Sequence, residues 1–339
     1  TGNLDFLATN NSEQPITANI TVTPTFTNGG NSNQGDPINF SISVNPTAQI
    51  NNIENIVVSN GELIGPVEFT TINTGGTTTY QWTNDSTDIG IANSGNENIS
   101  EFAAVNDGDI PISATIEVIP SFEENGLSCS GEPINFNITI NPDAQVNEID
   151  DLVYNDGDLV QIPFSSSNSG GENTYEWTST DPSTGMESSG SGNIEFIATN
   201  TGNSPIVTTV TVNPTFENGG VSNTGNPETF TITVNPVPQV ELIQNSIICA
   251  GEEIEDINFS TLNTGGTTTY AWTNDNPAIG LAASGTGDIP SFTAINNTTS
   301  TFVATIEVTP TFENGGTSST GNPETFTITV NPGAQVDSV

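Results

Sequence analysis

The side chains able to do chemistry in this sequence are almost all carboxylates: 40 Asp plus Glu, two cysteines, and no Lys, Arg or His. A nucleophilic triad needs a base and phosphoryl transfer needs a cation or a P-loop, and the sequence supplies neither. A carboxylate pair for glycoside hydrolysis is the one catalytic option left, yet no such pair recurs from one part of the chain to the next. The expectation is that the protein is not an enzyme and has no catalytic, cofactor-binding or metal-site residues. Without a basic residue, lysine isopeptide cross-links cannot form and trypsin has nowhere to cut.

The formal charge of −40 excludes nucleic acid as a partner, because nothing neutralises phosphate. Anionic membrane surfaces repel it for the same reason, so no direct membrane insertion is expected. The acids are dispersed rather than blocked, which reads as solubility and mutual repulsion. Each carboxylate must be solvated, hydrogen-bonded to a neutral group or matched by a mobile cation. Calcium is the cofactor left open, at Asn106-Asp107-Gly108-Asp109, Asn155-Asp156-Gly157-Asp158 and Glu252-Glu253-Ile254-Glu255-Asp256. None of these has EF-hand spacing, they fall at different points of the repeat, and Asp-Gly is an ordinary turn dipeptide.

The elements that carry these groups are set by a repeat. Trp82, Trp177 and Trp272 lie 95 residues apart, each two positions after a tyrosine (Tyr80, Tyr175, Tyr270) and each preceded by a Gly-Gly pair. An Asn-Pro step closes every unit, at Asn45-Pro46, Asn141-Pro142, Asn235-Pro236 and Asn331-Pro332. Four closing steps against three tryptophans make about three and a half copies. The organisation read from this is 1–47, the C-terminal half of a truncated copy; full copies at 48–142, 143–236 and 237–332; and the start of another at 333–339. The N-terminus carries no signal peptide, so the sequence reads as an excerpt of a longer secreted protein.

Period-two alternation marks strands in the last copy at 257–262, 267–273, 291–295, 304–310 and 324–330, with further segments near Val240 and at 279–282. Turn residues separate them, among them Ser284-Gly285 and Asn314-Gly315-Gly316. Many short strands with one Trp in an early-middle strand predict an all-β fold of tandem immunoglobulin-like β-sandwich repeats. The Trp is expected to be the core plug, because Tyr-x-Trp places both rings on one strand face. Phe26, Phe40 and their repeats alternate like core residues as well. Proline at each closing step, with no Gly/Ser linker, predicts an elongated rod.

The run from Thr267 through Tyr270, Trp272 and Gly285, with Ala304-Thr-Ile-Glu-Val-Thr-Pro310 and Pro323-Glu-Thr-Phe-Thr-Ile-Thr-Val-Asn-Pro332, resembles the PKD-like (Ig-like) tandem repeats of large Bacteroidota surface proteins. These are exported by the type IX secretion system and include SprB-like gliding adhesins. The Trp-Asp-Phe-Gly-Asp-Gly signature of better-known PKD domains is absent. The resemblance implies an extracellular, cell-surface adhesin filament for gliding motility or attachment, with these repeats as its stalk or spacer. Neighbouring repeats of the same chain are the expected partners, with surface polysaccharide or other cell-surface proteins left open. A carbohydrate-binding module array is the alternative, and a lattice built by edge-strand pairing a third reading.

Aligning the copies sets Ser59 opposite Cys249 and Ser319 opposite Cys129. In many repeats of the resembling family both positions are cysteine, which implies a staple between the first-strand region and the turn before the last strand. Here each cysteine has lost that partner, and a rod keeps the two apart, so two free and largely buried thiols are expected. Sequons such as Asn19-Ile20-Thr21 carry little weight. Asp85-Ser86-Thr87 is similar to the O-glycosylation site of Bacteroidota.

Overall fold

A computed structural model describes residues 3–334. Residues 335–339, most of the stretch read as the start of another copy, lie outside the described residues, as do Thr1 and Gly2. By internal packing the chain falls into two compact units. One holds residues 1–145, 166–173 and 215–225, and the other holds 146–165, 174–214 and 226–339.

The first full copy shows the architecture. Its main sheet runs in the order Ile56–Ser59, Ile134–Asn141, Ile112–Glu124, Thr77–Asn84, Ser94–Asn96. A short strand, Leu127–Ser130, turns back on the far end of Ile112–Glu124. The first strand runs parallel to the last, with Ser59 beside Asn141, while the other neighbours are antiparallel. A two-stranded sheet, Leu63–Ile64 with Phe102–Ala103, forms the second layer and is extended by a Val67–Ile99 bridge. The second and third copies repeat this strand order. The chain is therefore all-β, with tandem immunoglobulin-like sandwiches.

Alternation explains the layers. Along Phe302–Asn314, residues 304, 306, 308, 310 and 312 are buried and the residues between them are more exposed, so one face meets the second sheet. Phe326, Ile328 and Val330 point inward as their spacing predicts. Pro310 sits inside this long strand at the point where its neighbour changes from Glu324–Asn331 to Thr317–Thr320. Its missing N–H falls in that gap, and its carbonyl accepts from Gly321 at 2.9 Å; a central strand tolerates proline only at such a break.

Trp82, Trp177 and Trp272 are all buried, and each ring lies where a side chain on Gly95, Gly190 or Gly285 would overlap it. Glycine on the neighbouring strand is what makes room for the plug. Beside each Trp, the two-residue-earlier tyrosine packs against a phenylalanine with centroids about 5.4–5.5 Å apart, in Phe69–Tyr80, Phe164–Tyr175 and Phe259–Tyr270.

Several expected elements differ. The 257–262 segment pairs only through an Ile257–Ile289 bridge, although Phe259 is buried as its alternation predicts. Residues 279–282 begin in a one-turn 3-10 helix, Pro277–Ile279, that buries Ile279. Val240 lies outside any strand, whereas Ser246–Cys249 is one. Ser284-Gly285, read as a turn, belongs to the strand Ser284–Thr286. In the opening half-copy, Phe26 is 73% exposed while its counterparts Phe122, Phe216 and Phe312 are fully buried. Phe40 is likewise exposed at 43% against 2% for Phe136. Among the described residues, 3–47 pair as two separate two-stranded sheets, without the further strands that accompany these rings in a full copy.

Candidate functional site

The positions at which polar side chains converge are the joints between copies. They begin with a hairpin. The turns at Asn218-Gly219-Gly220 and Asn314-Gly315-Gly316 hold both glycines at positive φ, 62° and 78° in the first and 60° and 78° in the second. Such paired values suit a tight hairpin and favour glycine. The equivalent turn of the first copy has Asn125 (φ 55°) and Gly126 (φ 74°).

Each hairpin meets the Asn of the preceding Asn-Pro step. In the first unit, Asn141 is fully buried. Its Nδ2 donates to the carbonyls of Asn218 (3.0 Å) and Val221 (3.2 Å), and its Oδ1 accepts from Asn218 Nδ2 at 2.9 Å. In the second unit, Asn235 is buried as completely. It donates to Asn314 O (3.2 Å) and Thr317 Oγ1 (3.0 Å) and accepts from Asn314 Nδ2 at 2.9 Å. Asn45 donates to Glu124 O and Leu127 O, both at 3.0 Å.

A second contact lies on the other side of each joint. Ser169 N donates to Asp109 O (3.0 Å), Thr264 N to Asn203 O (2.8 Å) and Thr74 N to Glu13 O (2.9 Å). Beside each bond a residue of the Gly-Gly pair abuts a proline: Gly170 on Pro111, Gly265 on Pro205, Gly75 on Pro15. An asparagine then locks the chain that leaves the joint. Asn73, Asn168 and Asn263 each accept from the backbone N–H of Gln49, Gln145 or Gln239 at 2.7 Å. Their Nδ2 atoms donate back to carbonyls at Thr47, Asp143 and Val237. The stretch after the proline is thus pinned on both sides, which the proline alone does not achieve.

The acidic clusters serve the backbone. Asn106 is buried, and its Nδ2 donates to Ile110 O and Ile140 O while Oδ1 accepts from Gly108 N. Asp158 accepts from Asn155 N at 2.7 Å, Asp156 from Asn200 N, and Glu252 from Cys249 N at 3.0 Å. Asp151 accepts from Thr231 N at 2.7 Å, and that bond holds its carboxyl below the usual range. Among the described residues, no three His, Cys, Asp or Glu converge as a metal site would require. Also among them, no helix is long and apolar enough to cross a membrane.

Neither cysteine forms a disulfide, but the expectation of burial fails: Cys129 is half-buried and Cys249 exposed. Cys249 ends a strand that pairs on one side only, with Glu324–Asn331, so no described strand lies on its other side. Nor do the two staple positions meet within a copy. In the first copy Ser59 lies beside Asn141, one residue past the Ile112–Ile140 pair, whereas Cys129 lies opposite Phe122. About eleven residues along the central strand separate them, roughly 35 Å. A staple inside the copy is excluded.

No family model matches this chain, and no curated protein is significantly similar to it. Several solved multi-domain structures are similar at low identity. The human desmocollin-1 ectodomain is 12% identical with a TM-score of 0.32, over 92% of this chain and 67% of that one. Mouse cadherin-23 EC22-24 is 14% identical with a TM-score of 0.37, over 84% and 99%. The three N-terminal domains of the bacteriophage RB49 outer capsid protein Hoc are 13% identical with a TM-score of 0.39, over 85% and 99%. At such scores the likeness adds nothing to the strand order described above.

Proposed function

We propose that this chain is a structural stalk, a spacer segment of a large adhesin filament on a bacterial cell surface, and that it catalyses no reaction. The observation that carries this reading is the recurring joint. An asparagine at the end of one copy, buried at Asn141 and Asn235 and half-buried at Asn45, engages the hairpin of the next, and a backbone bond with a Gly–Pro contact backs it on the other side. A chain that only had to link independent domains would not bury polar side chains at each connection, because burial of an amide is tolerated only when its bonds are made. The charge of −40 supports extension, since like charges repel and no basic residue offsets them.

Extracellular placement, export through type IX secretion and service in gliding or attachment follow from the resemblance of the repeats. The same resemblance leaves surface polysaccharide or other surface proteins as partners of the filament. A carbohydrate-binding array is disfavoured by the three tryptophans, which are 5–8% exposed and offer no platform for a sugar ring.

Small-angle X-ray scattering tests the stalk. An extended array of these copies has a maximum dimension on the order of 100–150 Å from strand lengths. A compact profile overturns the reading.

A further inference from the structure

The two cysteine positions, kept apart inside each copy, come together across the joints. Strand register fixes the equivalences. Ser59, Asn155 and Cys249 each lie beside the Asn of an Asn-Pro step, at Asn141, Asn235 and Asn331. Cys129, Asn223 and Ser319 each lie opposite the buried hairpin phenylalanine, at Phe122, Phe216 and Phe312.

At the joint inside the first unit, the strand Ile56–Ser59 packs against the hairpin strand Val221–Thr224 of the following copy. A Cβ on Gly219 would stand 3.1 Å from Val57. Asn223 reaches back to donate to Pro142 O at 2.8 Å, next to the residue that flanks Ser59. Inside the second unit, Leu152–Asn155 packs in the same way on Thr317–Thr320, and Asn155 Nδ2 donates to Ser318 O at 3.4 Å. Positions 59 and 223, and likewise 155 and 319, therefore lie on strands that pack together across a joint. At the second joint the Asn155 side chain bonds the backbone next to Ser319, a reach on the scale of a disulfide, which spans about 4.4–6.8 Å between Cα atoms.

A second observation concerns the atoms already there. Asn223 Oδ1 and Ser319 Oγ are buried at these positions with no hydrogen-bond partner among the protein groups. A polar atom is disfavoured in such a place, whereas sulfur is at ease there.

We infer that Cys249 and Cys129 are the two halves of a disulfide staple between successive copies. Cys249 is placed to bond a cysteine in the hairpin strand of a further copy of this repeat docked after the third. Cys129 is placed to bond a cysteine in the first strand of a copy preceding the first. Among the described residues, 3–47 contain no such first strand and no hairpin follows Asn331, so neither thiol meets such a partner among them. The two complete joints, Ser59 with Asn223 and Asn155 with Ser319, lack cysteine on both sides. Bond formation is thiol–disulfide exchange with a small-molecule disulfide as oxidant: two thiols and one external disulfide give the staple and two external thiols. The inference stands on the joint's geometry alone, whatever the array is attached to.

The test uses the full chain carrying engineered cysteines, oxidised with glutathione disulfide and mapped without reduction by a Glu-directed protease. Ser59→Cys with Asn223→Cys, and separately Asn155→Cys with Ser319→Cys, should each lose both new thiols and yield the cross-copy linked peptide. Ser59→Cys alone, which leaves a same-copy pair with Cys129, and Ser319→Cys alone, a same-copy pair with Cys249, should keep every thiol open to alkylation. A same-copy linkage, or failure of the cross-copy bond at either joint in folded protein, overturns the inference.

Discussion

The joints at Asn45 and Asn235 share a backbone plan but differ in one pair of side chains. At Asn235 the amide donates to the hairpin and its oxygen accepts from Asn314. At Asn45 it donates to the hairpin carbonyls of Glu124 and Leu127, but Glu124 stands where the other copies have Asn218 and Asn314. A carboxylate has no N–H to return to Asn45 Oδ1. Burial follows the bonding, since Asn235 is fully buried and Asn45 only half-buried. One residue in the hairpin therefore decides whether the clasp is reciprocal.

The largest expected effect comes from removing the amide. Asn235→Ala removes the bonds that Asn235 makes to Asn314 Nδ2 and Asn155 Oδ1, although the Asn314 carbonyl keeps its bond from Thr317 Oγ1, and a group left unsatisfied where it is buried costs about 1–3 kcal/mol. Asn45→Ala, at a more exposed site with no reciprocal bond, should cost about 1 kcal/mol or less. Calorimetric melting of the two variants compares them, and equal losses would break the distinction between the joints. A smaller effect should follow from converting one joint into the other. Glu124→Asn restores the missing donor and should stabilise the first joint by about 0.5–1.5 kcal/mol, read as a higher urea midpoint at unchanged slope.

The fold was legible where spacing repeats. The 95-residue interval of the tryptophans, the Tyr-x-Trp pairing and the alternation through Phe326, Ile328 and Val330 located the core and its central strands. The 257–262 and 279–282 segments misled because alternation reports burial and not pairing: Phe259, Ile279 and Leu281 are buried, but most of their backbone bonds to no strand. A short apolar run does not separate the two.

The joint was hidden for another reason. In Asn-Pro the proline carries a local rule, whereas the asparagine's partners lie 77–82 residues away. A side-chain amide gives no sign in sequence of which carbonyl it will meet. Only its recurrence at 45, 141, 235 and 331 marked it. Likewise Cys129 and Cys249 were aligned correctly as positions, yet residues matched within a copy need not be neighbours within it.

Native-state hydrogen exchange at the joint amides tests most directly whether these connections are built clasps. Ser169 N and Thr264 N, bonded across the joints to Asp109 O and Asn203 O, should be protected to a level approaching that of the long central strands. Thr74 N, at the joint with Glu124, should exchange faster than both. Exchange of Ser169 and Thr264 at the rate of an unstructured linker would contradict the account.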